Sequence, residues 1–263
     1  MENFILSALP YALSGALVGL LVGLTGVGGG SLMTPLLTLI FGIPPSVAVG
    51  TDLAFASITK GVGTLAHRMH GHVRWDIVSK LCMGSLTTAA LSIYFLKQVG
   101  PLDDSWLHVI RVSIGFSVFL TAISLIFRKQ LVQWMAENPQ YQLQGKKLTY
   151  ATIAVGALLG ILVTISSIGA GAIGATFILM LYPVLKPAEV AGTDIAYAVP
   201  LTALAGLGHW WLGNVHFDLL FGLLLGSLPA IWLGARLAKT LPEKYTRVAL
   251  AVTLTLVGIK LIS

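Results

Sequence analysis

The sequence GLTGVGGG at Gly23–Gly30 and the sequence GTD at Gly50–Asp52 both return in the second half of the chain. The last three glycines correspond to Gly169-Ala170-Gly171 at an offset of 141 residues, and GTD recurs unchanged at Gly192–Asp194 at an offset of 142. Further matches are Gly15 with Gly156 and Gly19 with Gly160 at the offset of 141, and His67 with His209 and Asp76 with Asp218 at the offset of 142. A period this long is typical of a duplicated membrane bundle and not of a solenoid.

The composition places the chain in a lipid bilayer. Of its 263 residues, 56% are hydrophobic and only 10% are charged, against roughly 25% charged in a soluble domain. The excess of 16 Lys and Arg over 10 Asp and Glu is interpreted as membrane topology, so no nucleic-acid partner is expected. Cys82 is the only cysteine, which excludes a disulfide within the chain, and because it lies in an apolar run we expect a structural role for it.

Ten apolar segments predict an all-α integral membrane protein with two sets of five helices. Their approximate ranges are 5–25, 30–42, 45–67, 75–97 and 106–127, then 148–166, 171–184, 187–212, 216–238 and 245–262. The second segment of each set is shorter than the ~20 residues that a spanning helix needs.

Each short segment follows a glycine cluster. Glycine weakens a helix by about 1 kcal/mol relative to Ala, so we expect the chain to break at 28–30 and again near 169–171. Non-helical backbone at membrane depth must line a cavity or be buried in protein.

The positive charges distinguish ten crossings from eight. If both short segments cross, eleven Lys and Arg fall on one side and three on the other, whereas re-entrant short segments divide them seven and seven. Ten crossings are therefore favoured, and because five is odd, the second repeat is inverted and both termini lie outside the cytoplasm. We divide the chain into a first repeat (1–128), a cytoplasmic linker (129–147) and a second repeat (148–263).

The glycine clusters are candidate anion sites. The helices beginning at Ser31 and after Gly171 would aim unsatisfied N–H groups and positive dipole ends at a ligand. Close helix packing of small residues is the alternative, which we favour at Gly15, Gly19, Gly156 and Gly160.

Asp52 and Asp194 lie about two turns into their helices, where a carboxylate costs about 2.5–3.5 kcal/mol. They either accept hydrogen bonds from N–H groups freed at the broken helices, with Thr51 and Thr193 as supporting hydroxyls, or carry a coupling proton.

Lys60 is the only cation deep in a spanning segment, and its repeat partner is Thr202. A fixed positive charge suits an anionic substrate, while a lysine that pairs with Asp52 or extends to the interface is the alternative. The candidate substrate-binding residues are thus Gly28, Gly29, Gly30, Ser31, Thr51, Asp52, Lys60, Gly169, Ala170, Gly171, Thr193 and Asp194.

Three histidines, His67, His70 and His72, could form a metal site with Asp76, but we interpret them as interfacial residues at a helix end. A metal-cation transporter with His and Asp ligands is the alternative function. No nucleophile and base lie together in one plane, so we expect neither an enzyme nor a cofactor.

The glycine-rich break, the repeated GTD motif and the turns Gly71-His72-Val73 and Gly213-Asn214-Val215 resemble the sulfite exporter TauE/SafE family of membrane transporters. The likeness extends over nearly the whole chain. It implies transport of small sulfur-containing anions, sulfite or organosulfonates, across the bacterial inner membrane. The two intramembrane aspartates make protons a candidate coupling ion. We expect alternating access around a midplane site between the repeats.

Overall fold

The computed structural model describes residues 2–25, 30–69, 71–100, 103–237 and 243–262. Within these residues the chain is helical and contains no strand. The helices are α1 (Glu2–Thr25), α2 (Gly30–Leu39), α3 (Pro45–Met69), α4 (Trp75–Val99), α5 (Asp104–Glu137), α6 (Gly145–Ser166), α7 (Ala172–Leu181), α8 (Pro187–Trp211), α9 (Phe217–Leu237) and α10 (Glu243–Ile262). Each expected apolar segment is confirmed as a helix.

Local chemistry accounts for the helix ends. Proline is the first residue of α3 and of α8. Its missing N–H costs no hydrogen bond there, because the first N–H groups of a helix have no acceptor within the helix. After these helices, Gly71 and Gly213 adopt φ values of 68° and 78°, a left-handed conformation that glycine takes without steric cost. The two halves therefore begin and end equivalent helices in the same way.

The polar run 129–147, which we expect to be a cytoplasmic linker, is partly helical. Helix α5 continues to Glu137, and a 3-10 turn at Pro139–Tyr141 leads into α6. Trp134 stacks on Tyr141, with the ring centroids 5.2 Å apart. Apolar content alone could not place the end of α5, because a helix can continue beyond the hydrocarbon into water.

The surface is that of a multi-pass membrane protein. Five helices, α4, α5, α6, α8 and α9, are long and apolar enough to cross a bilayer when only the described residues are considered. Large hydrophobic side chains such as Leu13, Phe95 and Leu256 are more than half exposed, which in water would be an aggregation hazard. Lipid is the solvent that accepts them.

The two halves interleave. The four most extensive helix pairs are α1 with α9, α4 with α6, α3 with α8 and α5 with α10, and each joins one half to the other. Glycines bring the first two pairs together, as expected for small-residue packing. A Cβ on Gly15 or Gly19 would overlap the backbone at Leu223 or Ser227 of α9.

The same contact occurs between α4 and α6. A Cβ on Gly156 or Gly160 would overlap the backbone at Leu81 or Ser85 of α4. In both pairs the residue numbers rise together along the two helices, so the helices of each pair run parallel. The expectation that these four glycines serve packing is confirmed.

Helices α3 and α8 run in opposite directions through the centre of the molecule. Gly50 at the start of α3 lies against His209 near the end of α8, and Gly63 near the end of α3 lies against Ile195 near the start of α8. Helices α4 and α8 instead run parallel. The Sγ of Cys82 lies 4.0 Å from the carbonyl oxygen of Tyr197, and later in both helices Ile93 packs against Gly208.

Candidate functional site

The break between α6 and α7 forms the centre of the candidate site. Helix α6 ends at Ser166, and Ser167 is left-handed with φ 60°. Gly169 and Gly171 have φ values of 136° and 137°, which side chains with a Cβ rarely adopt. Helix α7 then begins at Ala172, so the expected break near 169–171 is confirmed.

Both short helices have ten residues. At 1.5 Å per residue each is about 15 Å long, roughly half of a hydrocarbon core of about 30 Å. Gly28 and Gly29, in the first expected break, lie outside the described residues, as does the Ser31 side chain. The backbone is described again from Gly30, the first residue of α2.

Lys60 connects the two halves at the second break. Its Nζ donates a hydrogen bond of 2.9 Å to the carbonyl oxygen of Ala170, and the residue is only 8% exposed. It makes no salt bridge with Asp52 among the described residues. The lysine therefore neither pairs with its neighbour on α3 nor extends to the interface, and its charge lies at the α6–α7 break.

Asp52 is fully buried beside the other short helix. The Oγ1 of Thr34 on α2 donates a hydrogen bond of 2.6 Å to Asp52 Oδ2. Ser167 lies close to this carboxylate, yet neither Ser167 Oγ nor Asp52 Oδ1 has a hydrogen bond of standard geometry in the described part of the chain. Asp52 thus holds α2 to α3 through one of its carboxylate oxygens.

Asp194 occupies the equivalent place in the second half and is 4% exposed. Its carboxylate faces the backbone N–H of Gly171 and lies where a Cβ on Gly174 would be. Its Oδ1 has no hydrogen-bond partner among the described residues. Lys60 is within electrostatic range of both buried aspartates, so one ammonium offsets part of the charge of two carboxylates.

The two threonines of the GTD motifs each hold a helix of the other half. The backbone N–H of His216, just before α9, donates to Thr51 Oγ1 at 3.1 Å. In the equivalent contact the N–H of Arg74, just before α4, donates to Thr193 Oγ1 at 3.1 Å. Both hydroxyls therefore satisfy N–H groups at helix starts, which have no acceptor within their own helices.

The glycines of the same motifs allow this close approach. A Cβ on Gly50 would overlap the carbonyl oxygen of Asn214, and a Cβ on Gly192 would meet the carbonyl group of His72. Each GTD motif thus has three roles: glycine admits the turn of the opposite half, threonine caps the helix after that turn, and aspartate faces the short helix.

Sequence reasoning missed three residues at the site, Thr34, Gly174 and Tyr197. Tyr197 is fully buried and lies three residues after Asp194 on α8, so both side chains lie on one helix face. That spacing could have identified Tyr197. Nothing in the local sequence relates Thr34 to Asp52, because a contact between two helices depends on how they pack.

The histidines do not form a metal centre in the described part of the chain. No group of three or more His, Cys, Asp or Glu side chains comes together there. His209 is buried, with its Nε2 2.9 Å from the carbonyl oxygen of Thr164. His70 and the side chain of His67 lie outside the described residues. The alternative of a metal-cation transporter therefore finds no support.

Comparison with known proteins identifies the family. The family model described as "Sulfite exporter TauE/SafE" matches residues 11–261. The chain is 36% identical over 250 residues to the probable membrane transporter protein YjnA of Bacillus subtilis, a match that covers 95% of this chain and 98% of the relative. It is 27% identical to the probable membrane transporter protein YdhB of the same species, over 94% of this chain and 96% of the relative.

A more distant relative comes from an archaeon. The probable membrane transporter protein MJ0441 of Methanocaldococcus jannaschii is 25% identical, over 93% of this chain and 91% of the relative. No solved structure gives a significant match. The chain belongs to the sulfite exporter TauE/SafE family and is a multi-pass membrane transporter.

Proposed function

We propose that this member of the sulfite exporter TauE/SafE family transports small sulfur-containing anions, sulfite or organosulfonates. The observation that carries the proposal is the ammonium of Lys60 at the α6–α7 break, 2.9 Å from the carbonyl oxygen of Ala170. The break also presents the N-terminus of α7, whose first N–H groups have no acceptor within the helix. A fixed cation beside a helix N-terminus favours an anion over a cation.

The substrate-binding set that we propose is the one expected from the sequence. It comprises Gly28, Gly29, Gly30, Ser31, Thr51, Asp52, Lys60, Gly169, Ala170, Gly171, Thr193 and Asp194. Of these, Thr51 and Thr193 act through the helix starts that they cap. Lys60, Ala170, Gly171 and Asp194 surround the second break.

The ten-crossing topology is the second part of the proposal. If the short helices α2 and α7 turned back, α3 and α8 would run parallel and α4 would run against α8. Instead, α3 and α8 run antiparallel and α4 runs parallel to α8. This supports two inverted five-helix repeats, 1–128 and 148–263, joined through 129–147.

Alternating access follows from that arrangement. The short helices reach about half-way through the bilayer from opposite sides, so their broken ends lie near the midplane. Because each half packs mainly on the other, a shift of one half against the other would open the site first to one face and then to the other.

Flux through the purified protein in liposomes tests the proposal. We expect radiolabelled sulfite to enter protein-containing liposomes faster than protein-free ones, and excess methanesulfonate to compete with it. Acetate and a divalent metal cation serve as non-sulfur and cationic comparisons. Uptake of the metal ion without uptake of sulfite would contradict the proposal.

The same assay addresses coupling to protons. Asp52 and Asp194 each have an Oδ1 atom without a hydrogen-bond partner among the described residues, but Asp52 Oδ2 also accepts a hydrogen bond from Thr34, which holds α2 to α3. We therefore propose Asp194 as the proton carrier and Asp52 as structural. Asn keeps an acceptor oxygen but cannot ionise. Asp194→Asn should therefore still exchange sulfite but lose the response to a pH gradient, whereas Asp52→Asn should keep it. If the wild-type flux did not depend on the pH gradient, proton coupling would be refuted.

A further inference from the structure

The two halves differ at the site although the GTD motifs are identical. Tyr197 on α8 corresponds to Phe55 on α3 at the offset of 142, and Gly174 on α7 corresponds to Met33 on α2 at the offset of 141. Phe55 and Met33 are both buried apolar side chains. Where the first half has two apolar side chains, the second half thus has a tyrosine, which adds a hydroxyl, and a glycine, which has no side chain.

These two differences meet at one place. The hydroxyl oxygen of Tyr197 lies 2.7 Å from the position that a Cβ on Gly174 would occupy, and Asp194 Oδ1 lies even closer to that position. Because residue 174 has no side chain, both oxygens reach the first turn of α7. In the first half, the side chain of Met33 is part of the apolar core.

The Tyr197 hydroxyl has no hydrogen-bond partner among the described residues, although the side chain is fully buried. An unsatisfied buried donor costs about 1–3 kcal/mol, and native structures contain few of them. The third difference between the halves, Lys60 in place of Thr202, adds its charge at the same break. A bound oxyanion there would accept hydrogen bonds from the hydroxyl and from the ammonium.

We infer that only one of the two breaks in the proposed substrate-binding set holds the anion, the α6–α7 break, and that the Tyr197 hydroxyl donates a hydrogen bond to an oxygen of the bound anion. The inference rests on the proposed function and adds Tyr197 and Gly174 to the site. The ligand class is a small oxyanion that carries several acceptor oxygens. Lys60 lies within electrostatic range of Asp194 and reduces the repulsion between that carboxylate and the anion.

The test is the affinity of purified protein for sulfite and for methanesulfonate, measured by calorimetry. Tyr197→Phe removes one hydroxyl and introduces the residue that already occupies the equivalent position 55. Because the lost hydrogen bond has a charged acceptor, we expect the variant to bind both anions at least about tenfold more weakly than wild type. The matched control is Tyr182→Phe, whose hydroxyl pairs with Thr152 at 2.8 Å near the far end of α7. The control should bind both anions within about twofold of wild type, since its hydroxyl is remote from the break.

Gly174→Ala is a second variant at the same place. Its methyl group would occupy the space of the two oxygens, so both anions should again bind at least about tenfold more weakly. Unchanged affinity in folded Tyr197→Phe and Gly174→Ala, with normal wild-type binding, would overturn the site at the α6–α7 break alone and leave the proposed function standing. Failure of wild-type protein to bind either anion would instead overturn the proposed function.

Discussion

Replacing Lys60 with Met tests the charge at the proposed site most directly. Met retains an unbranched side chain of similar length but removes the ammonium and its hydrogen bond to Ala170. In wild type, a substrate oxygen at about 4 Å from Nζ would gain about 4 kcal/mol at an effective dielectric constant of about 20. Desolvation of both ions opposes this gain.

The net loss is therefore closer to that of one charge-assisted hydrogen bond, about 1.5–3 kcal/mol. This corresponds to a dissociation constant for sulfite roughly 10- to 150-fold higher. The substitution also leaves Asp52 and Asp194 without the ammonium that lies within range of both, which adds repulsion in the same direction. We expect the free energy of unfolding to fall as well, by about 1–3 kcal/mol, because the Ala170 carbonyl loses its buried donor.

Calorimetric binding of sulfite and thermal unfolding in detergent together separate these two effects. Lys97→Met is the matched control, because it removes the same charge from a lysine that lies 3.7 Å from the ring centroid of Trp211. The control should bind sulfite as wild type does. If folded Lys60→Met bound sulfite within about twofold of wild type, Lys60 would be a structural lysine, and its place at the anion site would be refuted.

Topology and packing give two further predictions. In a Cys82→Ser background, His72→Cys and Asn214→Cys should react with an impermeant thiol reagent from opposite faces of the membrane. If both cysteines were labelled from the same face, the inverted repeat would be refuted and a parallel duplication would be the better description. Gly15→Ala should lower the free energy of unfolding by about 1–3 kcal/mol, because its methyl group overlaps the backbone of α9. Gly61→Ala in α3 meets no atom within 4 Å and should be neutral or stabilising by up to about 1 kcal/mol; equal effects of the two substitutions would contradict the packing argument.

Much of the fold follows from local sequence features. Apolar segments locate the ten helices, since a helix in lipid needs a continuous apolar run. Glycine and proline locate the interruptions, as at 169–171 and before α3 and α8. These residues act through their own backbone dihedral angles, so their effect can be predicted without knowledge of any neighbour.

The extent of α5 and the partners at the site could not be predicted in this way. Lys60 and Ala170 are 110 residues apart, and Thr51 and His216 are 165 apart. The sequence of α3 contains the lysine but does not indicate which half of the molecule the side chain enters. The repeat by itself would have predicted equivalent sites at both glycine clusters.

The sequence by itself determined that the chain is a helical membrane protein with a repeated GTD motif and a glycine cluster before each short helix, because hydropathy, glycine and proline act over a few neighbouring residues. Only the tertiary structure decided that each GTD motif holds the opposite half and that Lys60, Asp194 and Tyr197 gather at the second break. The physical reason is that lipid accepts any apolar helix face. Helix pairing is therefore set by close backbone approach at glycines and by buried hydrogen bonds, which form only when distant segments meet.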